Sequence, residues 1–400
     1  MNPDEILKKL GDAGFEAYYV GGCVRDRLMN KPAHDVDIAT NALPEEIMRV
    51  FCRYTVIPTG VRHGTVTVAA HGDSYEITTF RVDGSYSDSR RPDSVAFTNH
   101  IETDLARRDF TMNAIAMDLN GKIIDPFGGT DDIKNKVIRC VGEPTKRFGE
   151  DALRIMRAVR FAAQLGFGIE KNTADAVHEM CGTLNRISHE RIRNELDRLI
   201  CGEGCVDVML NFSDVIAAVI PEFSQCIGFE QHSDYHCYDV WEHTVRALAS
   251  APTDNLRLRM SLLFHDVAKP LCAKFDSMGK GHFKGHAEKS AEMALEIMKR
   301  LRYDSVSVRE TALLIRHHSD KIRTKAHVKR LLNELGEALF LELIEMKKCD
   351  NLAKWDFVRK ENEEFDEFAK MAREICRSGE CYSYGQLAVN GNDLLELGLC

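Results

Sequence analysis

The chain has 400 residues, 44% of them hydrophobic and 29% charged, which allows two or three packed domains and excludes a mostly disordered protein. A net charge of −9 excludes a uniformly basic nucleic-acid coat and leaves only local basic tracks for such a role. Thirteen cysteines, an odd number with no Cys-x-x-Cys pair, read as reduced thiols, and the lack of a signal-peptide core or a run of 18 apolar residues predicts a soluble, cytoplasmic protein with no membrane partner.

The opening MNPDEILKKLGDAGFEAYYVGG reads as a capped amphipathic helix running into a strand. EAYYVGG, DVDIAT, GTVTVAAHGDSYEITTF and AIAMDLNGKIIDP are β-rich. Turn signals fall at His71-Gly72-Asp73 and Asn120-Gly121, and the third segment reads as a hairpin. From about Phe148 the pattern turns helical. In EDALRIMRAVRFAAQLGF, Leu153, Met156, Val159 and Ala163 recur at helical spacing and Gly166 is a stop. ISHERIRNELDRLICG and HVKRLLNELGEALFLELIEMKKCDNLAKW continue the helical run. The expected fold is an α/β head with a mixed β-sheet and helices, followed by an all-α neck and body. The expected boundaries are a head over 1–140, a neck over 141–215, a body over 216–355 and a helical tail over 356–400.

Asp35 and Asp37 stand two apart in DVDIAT, a spacing that on a strand puts both carboxylates on one face. Neighbouring carboxylates repel unless a cation lies between them, and hard oxygen ligands suit Mg²⁺, which keeps open positions for substrate phosphates. Upstream, Gly21-Gly22 lets the backbone approach phosphate oxygens, and Arg25 adds charge. Glu76 in YEITTF is the candidate third carboxylate.

VGGCVRDRLMNKPAHDVDIAT resembles the first motif of the class II tRNA nucleotidyltransferases, the CCA-adding enzymes, and of their relatives the bacterial poly(A) polymerases. DLARRDFTMNAIAMD, residues 104–118, is similar to that family's second motif, and RFGEDALRIMRAVRFAAQLGF to its nucleotide-selecting helix. The resemblance implies nucleotide or metal contacts at Gly22, Arg25, Asp35, Asp37, Arg108, Asp151, Arg154, Arg157 and Arg160. Asp109 and Asn113 are placed to orient the sugar or an arginine.

Asp151, Arg154 and Arg157 are spaced so that on one helix they cover an arc of roughly 120°. Cytosine and adenine both offer an amino donor beside a ring-nitrogen acceptor; uracil and guanine offer the reverse. An acceptor Asp beside a donor Arg therefore matches C or A, and a mismatched edge leaves buried groups unpaired at about 1–3 kcal/mol each. The protein itself would then act as template. The polar segment 80–97 resembles the loop that complete CCA-adding enzymes keep.

Six Lys/Arg against three Asp/Glu between Arg139 and Arg160, the arginines 186, 191, 193 and 198, and KIRTKAHVKR over 321–330 form basic tracks suited to a tRNA backbone. His243, His265-Asp266, His286, His317-His318 and Asp350 resemble the HD phosphohydrolase signature, with Lys269 placed to touch a phosphate. The sequence leaves open which of His317 and His318 is the ligand. This mixed nitrogen and oxygen set suits Mn, Ni, Zn or Fe better than Mg alone. The combined expectation is Mg-dependent addition of C, C and A from CTP and ATP to tRNA, with an HD phosphohydrolase side activity. An A-adding or poly(A) polymerase of the same fold, and an HD phosphohydrolase with an RNA-binding head, are the alternatives; the sequence does not specify an oligomeric state.

Overall fold

The computed structural model describes residues 1–32, 35–70, 73–84, 94–383 and 386. The His71-Gly72 turn signal, residues 85–93 of the expected loop and most of the tail beyond 383 lie outside the described residues. The chain divides into two compact units, Met1–Ser188 and His189–Cys400.

In the first unit Asn2 caps α1 (Pro3–Asp12) through a capping box: its side chain accepts from the Glu5 amide and the Glu5 carboxylate accepts from the Asn2 amide. Ile6, Leu7 and Leu10 form the buried stripe of that helix. There follow β1 (Ala17–Val20), α2 (Gly22–Leu28), β2 (Asp37–Thr40), α3 (Pro44–Val50), β3 (Thr55–Gly60), β4 (Thr65–Ala70) and β5 (Asp73–Thr79). A short ribbon, β6 (Arg81–Asp83) with β7 (Val95–Phe97), leads to α4 (Ile101–Ala106), β8 (Ala116–Met117) and β9 (Ile123–Ile124). The main sheet has seven strands in the order β3-β4-β5-β2-β1-β8-β9. Its strands pair antiparallel except β2 and β5, which run parallel and set Asp37 level with Glu76. The expected hairpin is β4–β5. Beneath the sheet Val20, Ala39, Phe80, Leu105, Ala114, Ala116 and Val141 close a buried cluster.

The unit ends in α5 (Gly129–Lys134), β10 (Val137–Ile138), α6 (Pro144–Glu150), α7 (Leu153–Leu165), β11 (Gly168–Ile169) and α8 (Lys171–Met180). Two local expectations change. The predicted helix across EDALRIMRAVRF is broken: Asp151 has extended dihedrals (φ −144°, ψ 105°), and its carboxylate accepts from the Leu153 amide, closing a side-chain turn that starts α7 afresh. Asp35 stands at a bend before β2 rather than on the strand with Asp37. Gly166, at φ +67°, stops α7 as expected.

The second unit is helical: α9 (His189–Ile200), α10 (Cys205–Asn211), α11 (Ser213–Val219), α12 (Val240–Ala249), α13 (Leu256–Phe264) and α14 (Lys269–Cys272). A two-stranded turn, β12 (Lys274–Phe275) with β13 (Gly281–His282), interrupts them before α15 (His286–Arg300), α16 (Ser305–His317), α17 (Lys325–Leu352), α18 (Asp356–Arg359) and α19 (Glu361–Ser378). Gly336, at φ +75° and ψ 169°, breaks α17 within what the sequence presents as one periodic run. Among the described residues no helix is long and apolar enough to cross a membrane, and the described cysteines are free thiols.

Candidate active sites

In the first unit the chain turns sharply between β1 and α2 at Gly21 (φ +74°, ψ −136°). A Cβ at Gly21 would lie 2.8 Å from Arg108 Nη1 and 3.5 Å from Asp37 Oδ2. The bare glycine is what lets a guanidinium from the α4 end of the chain and a carboxylate from β2 share one spot. Gly22, the expected contact, is less constrained: its Cβ would meet Arg25 Nη2 at an ordinary 3.6 Å. Arg108 is under-satisfied. Its Nε is buried without a hydrogen-bond partner, and Nη2 reaches Asp104 Oδ2 only at 3.5 Å. That is the state of a group built to meet an anion.

Asp37 and Glu76 are exposed and in register on neighbouring strands; Asp35, also exposed, lies two residues before Asp37. Protein packed around Asp37 displaces water and pushes its carboxyl up; Arg108 pulls it back and Asp35 adds repulsion. Asp37 and Glu76, exposed and level on neighbouring strands, offer the hard oxygen donors that suit a divalent cation, and an ion there would offset both the desolvation of Asp37 and the push from Asp35.

Arg25 is buried and held by its own neighbours. Its Nε and Nη2 donate to Asp26 Oδ1 at 2.9 and 2.7 Å, and Nη1 donates to Asn113 Oδ1 at 2.9 Å. Asn113 Nδ2 donates in turn to Asp109 Oδ1 at 3.2 Å, and Arg157 Nε to Asp109 Oδ2 at 2.7 Å. Burial alone would raise the Asp109 carboxyl, but Arg157 and Arg154 override it and hold it well below the usual range. Arg154 donates to Glu150 Oε2 at 2.7 Å, to the Arg147 carbonyl at 3.1 Å and to the Arg107 carbonyl at 3.0 Å. Arg160 donates to Gln164 Oε1 at 3.1 Å. Asp151 thus sits in the α6–α7 break, with Arg154 and Arg157 on the first turns of α7. Sequence reasoning singled out Asp109 and Asn113 but missed Glu150, whose signal was its i,i+4 spacing to Arg154.

The second unit gathers His243, His265, Asp266, His286, His318 and Asp350. His243 Nε2 lies 3.0 Å from Asp350 Oδ1, 3.4 Å from Asp266 Oδ2 and 3.3 Å from His265 Nε2. His286 Nε2 and His318 Nε2 lie 3.3 and 3.7 Å from Asp266 Oδ1 and 3.2 Å from each other. The other ring nitrogen decides the tautomer. Nδ1 of His243, His265, His286 and His318 meets the carbonyls of Ala353, Leu262, Phe283 and Ile315 at 3.2, 2.7, 2.8 and 2.6 Å. A carbonyl only accepts, so each Nδ1 carries hydrogen and each neutral ring turns an Nε2 lone pair inward. Neither oxygen of Asp266, nor Asp350 Oδ1, accepts a hydrogen bond of sound geometry. Facing lone pairs and orphaned carboxylate oxygens call for a cation. Burial opposes charging His265, but Asp266 and Asp350 outweigh it and push it up to about 9.

His317 faces elsewhere, with Nδ1 2.9 Å from Asp320 and Nε2 3.0 Å from Glu334. His236 is the residue that sequence reading missed. It forms a ligand-capable group with His243 and Asp266 and lies 3.2 Å from Lys269 Nζ, which also reaches Asp266 Oδ2 at 2.6 Å. Its place on an irregular loop gave no periodic signal. The basic tracks are weaker than their composition: Lys325 and Lys329 pair with Glu380, and Arg330 with Asp320.

Family models match three segments: the Poly A polymerase head domain over 17–139, the probable RNA and SrmB-binding site of polymerase A over 166–226, and the HD domain over 234–355. The solved CCA-adding enzyme of Bacillus stearothermophilus, crystallised in complex with CTP, superposes with a TM-score of 0.73 at 31% identity, covering 100% of this chain and 89% of that one. The chain belongs to the CCA-adding enzyme family. Among curated CCA-adding enzymes, that of Lactobacillus helveticus (strain DPC 4571) is 51% identical over 220 residues, 55% of either chain. That of Leuconostoc citreum (strain KM20) is 55% identical over 203 residues, 51% of this chain and 50% of the relative. The matched stretch spans about half the length of these curated CCA-adding enzymes. The Poly A polymerase head match covers Gly21, Asp35, Asp37, Glu76 and Arg108 in the first unit, and the HD match covers the histidine and aspartate cluster in the second.

Proposed function

We propose that the chain adds C, C and A to the 3′ end of tRNA from CTP and ATP without a nucleic-acid template. The observation that carries this is the convergence at Gly21 of Arg108 and Asp37, with Glu76 in register beside them, in a member of the CCA-adding family. Asp35, Asp37 and Glu76 are the residues that would hold Mg²⁺. Bound there, the ion would acidify the attacking hydroxyl and offset charge on the phosphate. The tRNA 3′-oxygen bonds to the α-phosphorus, the bond to the β-phosphate oxygen breaks, and pyrophosphate leaves. Arg108 receives phosphate oxygens at the Gly21 turn. Asp151 accepts from the exocyclic amine of the base while Arg154 and Arg157 present donors; Glu150 and Asp109 keep those arginines from collapsing onto the incoming charge. Head, neck, body and tail boundaries at 140, 215 and 355 and a cytoplasmic location complete the reading, the latter supported by the free thiols. The test is incorporation into tRNA lacking its 3′ end. Radiolabelled C should enter with CTP alone and A only after it; Asp37→Ala should abolish both. Labelling by ATP with none by CTP would favour the A-adding alternative.

A second reading rests on the four inward Nε2 lone pairs. The HD cluster would hold Mn, Ni, Zn or Fe through His243, His265, Asp266, His286, His318 and Asp350, and act on a phosphoester. Lys269 would steady a phosphate oxygen. Hydrolysis of bis-p-nitrophenyl phosphate that appears with Mn²⁺ or Ni²⁺ and is lost in His265→Ala supports it; no metal retained on dialysis removes it.

A further inference from the structure

Three arginines drawn from two separate motifs meet at one aromatic ring. The guanidinium carbons of Arg160, Arg25 and Arg157 lie 3.5, 5.2 and 5.2 Å from the centroid of Phe161. Phe161 is itself fixed: it is 5% exposed, and Phe110, fully buried, meets it edge to face at 5.9 Å and 87°. Three like charges at this range repel. Asp26 offsets Arg25 and Asp109 offsets Arg157, and Asn113 ties Arg25 to Asp109 by hydrogen bonds. The ring is the surface that all three guanidinium carbons approach within 5.2 Å, Arg160 included. Its electron-rich face attracts each cation, and a guanidinium that stacks with its flat side keeps its in-plane N–H donors for oxygen acceptors.

We infer that Phe161 is a positioning residue, the shared platform that sets the spacing between the arginine of α2 and the arginines of α7, and through them the affinity for the nucleoside triphosphate. This rests on the nucleotide-adding reading above. The hydrophobic-core role of a buried Phe would be met by any side chain of similar size. The platform role needs the ring's electrons.

The experiment separates the two. Phe161 is replaced in the full chain by mono-, di- and trifluorophenylalanine, which weaken the ring's electrostatics stepwise at nearly constant volume, and by Tyr and Leu. CTP and ATP affinities are measured by calorimetry, C and A incorporation by kinetics, and folding by thermal midpoint. The expected result is a Kd that rises with each fluorine, about tenfold over the series. The turnover number should stay within about twofold, thermal midpoints should stay level, Tyr should bind close to wild type and Leu worse than trifluorophenylalanine. Affinities that stay level across the fluorinated series, or a loss confined to turnover, overturn the proposal. Wild-type protein that binds CTP but adds no C to trimmed tRNA defeats the functional reading alone, since the affinity series still decides the role of the ring.

Discussion

Gly21 is where a single missing Cβ has the largest chemical consequence. In Gly21→Ala the backbone keeps a positive φ outside the left-handed helical well, which costs about 1–3 kcal/mol for an L-residue, and the new methyl lies 2.8 Å from Arg108 Nη1. Arg108 must swing away from Asp37, so C incorporation should fall on the order of a hundredfold, the scale of losing one aligned electrostatic group. Circular dichroism should show a folded protein. Gly22→Ala, with an ordinary 3.6 Å contact, should be far milder, and equal damage from the two changes would contradict the assignment. Asp109 offers a residue-scale test by pH. Its folded carboxyl is held below the ordinary value near 4, so its contribution is fully present above that pH and is lost as pH falls through the lowered value. Asp109→Asn should cost about 3 kcal/mol near neutrality, as when one partner of a buried pair is removed. The gap from wild type in urea unfolding should shrink steadily below about pH 4. A gap that widens with acid would reverse the sign and exclude the ion pair.

At the scale of elements, the break between α6 and α7 is the feature the sequence hid. The apolar period runs through it without a slip: Phe148 before the break and Ala152, Ile155 and Val159 after it, at steps of four, three and four, are all buried. Periodicity reports which face is inward and is blind to a change of dihedral angle at the single residue Asp151. The only local hint was Asp at position 151, a residue that closes side-chain turns at helix starts. The β4–β5 hairpin and the Gly166 stop were legible because alternation and glycine chemistry act locally. The level setting of Asp37 and Glu76 was not, because it depends on a parallel pairing of strands distant in sequence. The break also carries a prediction. If an extended Asp151 ahead of Arg154 and Arg157 reads the base, Asp151→Ala should lose the acceptor for the amino group of C and A. Relative incorporation of UTP and GTP should rise about tenfold or more, with misincorporation scored on trimmed tRNA supplied with each nucleotide singly. Unchanged discrimination would move base choice elsewhere on the helix.

At the scale of the whole chain, two clusters of different ligand chemistry fall in two compact units: exposed carboxylates on a sheet in Met1–Ser188, and imidazoles with buried carboxylates within ligand distance of one another in His189–Cys400. The HD residues were recognisable because each lies in a short motif. The tautomers that turn their lone pairs inward could not be read from sequence, since they come from the backbone carbonyls each Nδ1 meets. Unfolding should therefore respond separately to two ligands. A ligand at a hundred times its Kd stabilises the unit that binds it by about 2.7 kcal/mol, worth about 5–11 °C in a unit of this size. Mn²⁺ or Ni²⁺ should raise one calorimetric transition by that amount or more, and CTP with Mg²⁺ the other. His265→Ala should erase the first shift and leave the second, because a missing imidazole opens the cluster without touching the carboxylates of the sheet. Raising pH from 6 to 8 should strengthen the first shift, since the ion must displace the proton that Asp266 and Asp350 hold on His265. A single transition moved equally by both ligands would mean that the two sites do not titrate as separate chemical centres.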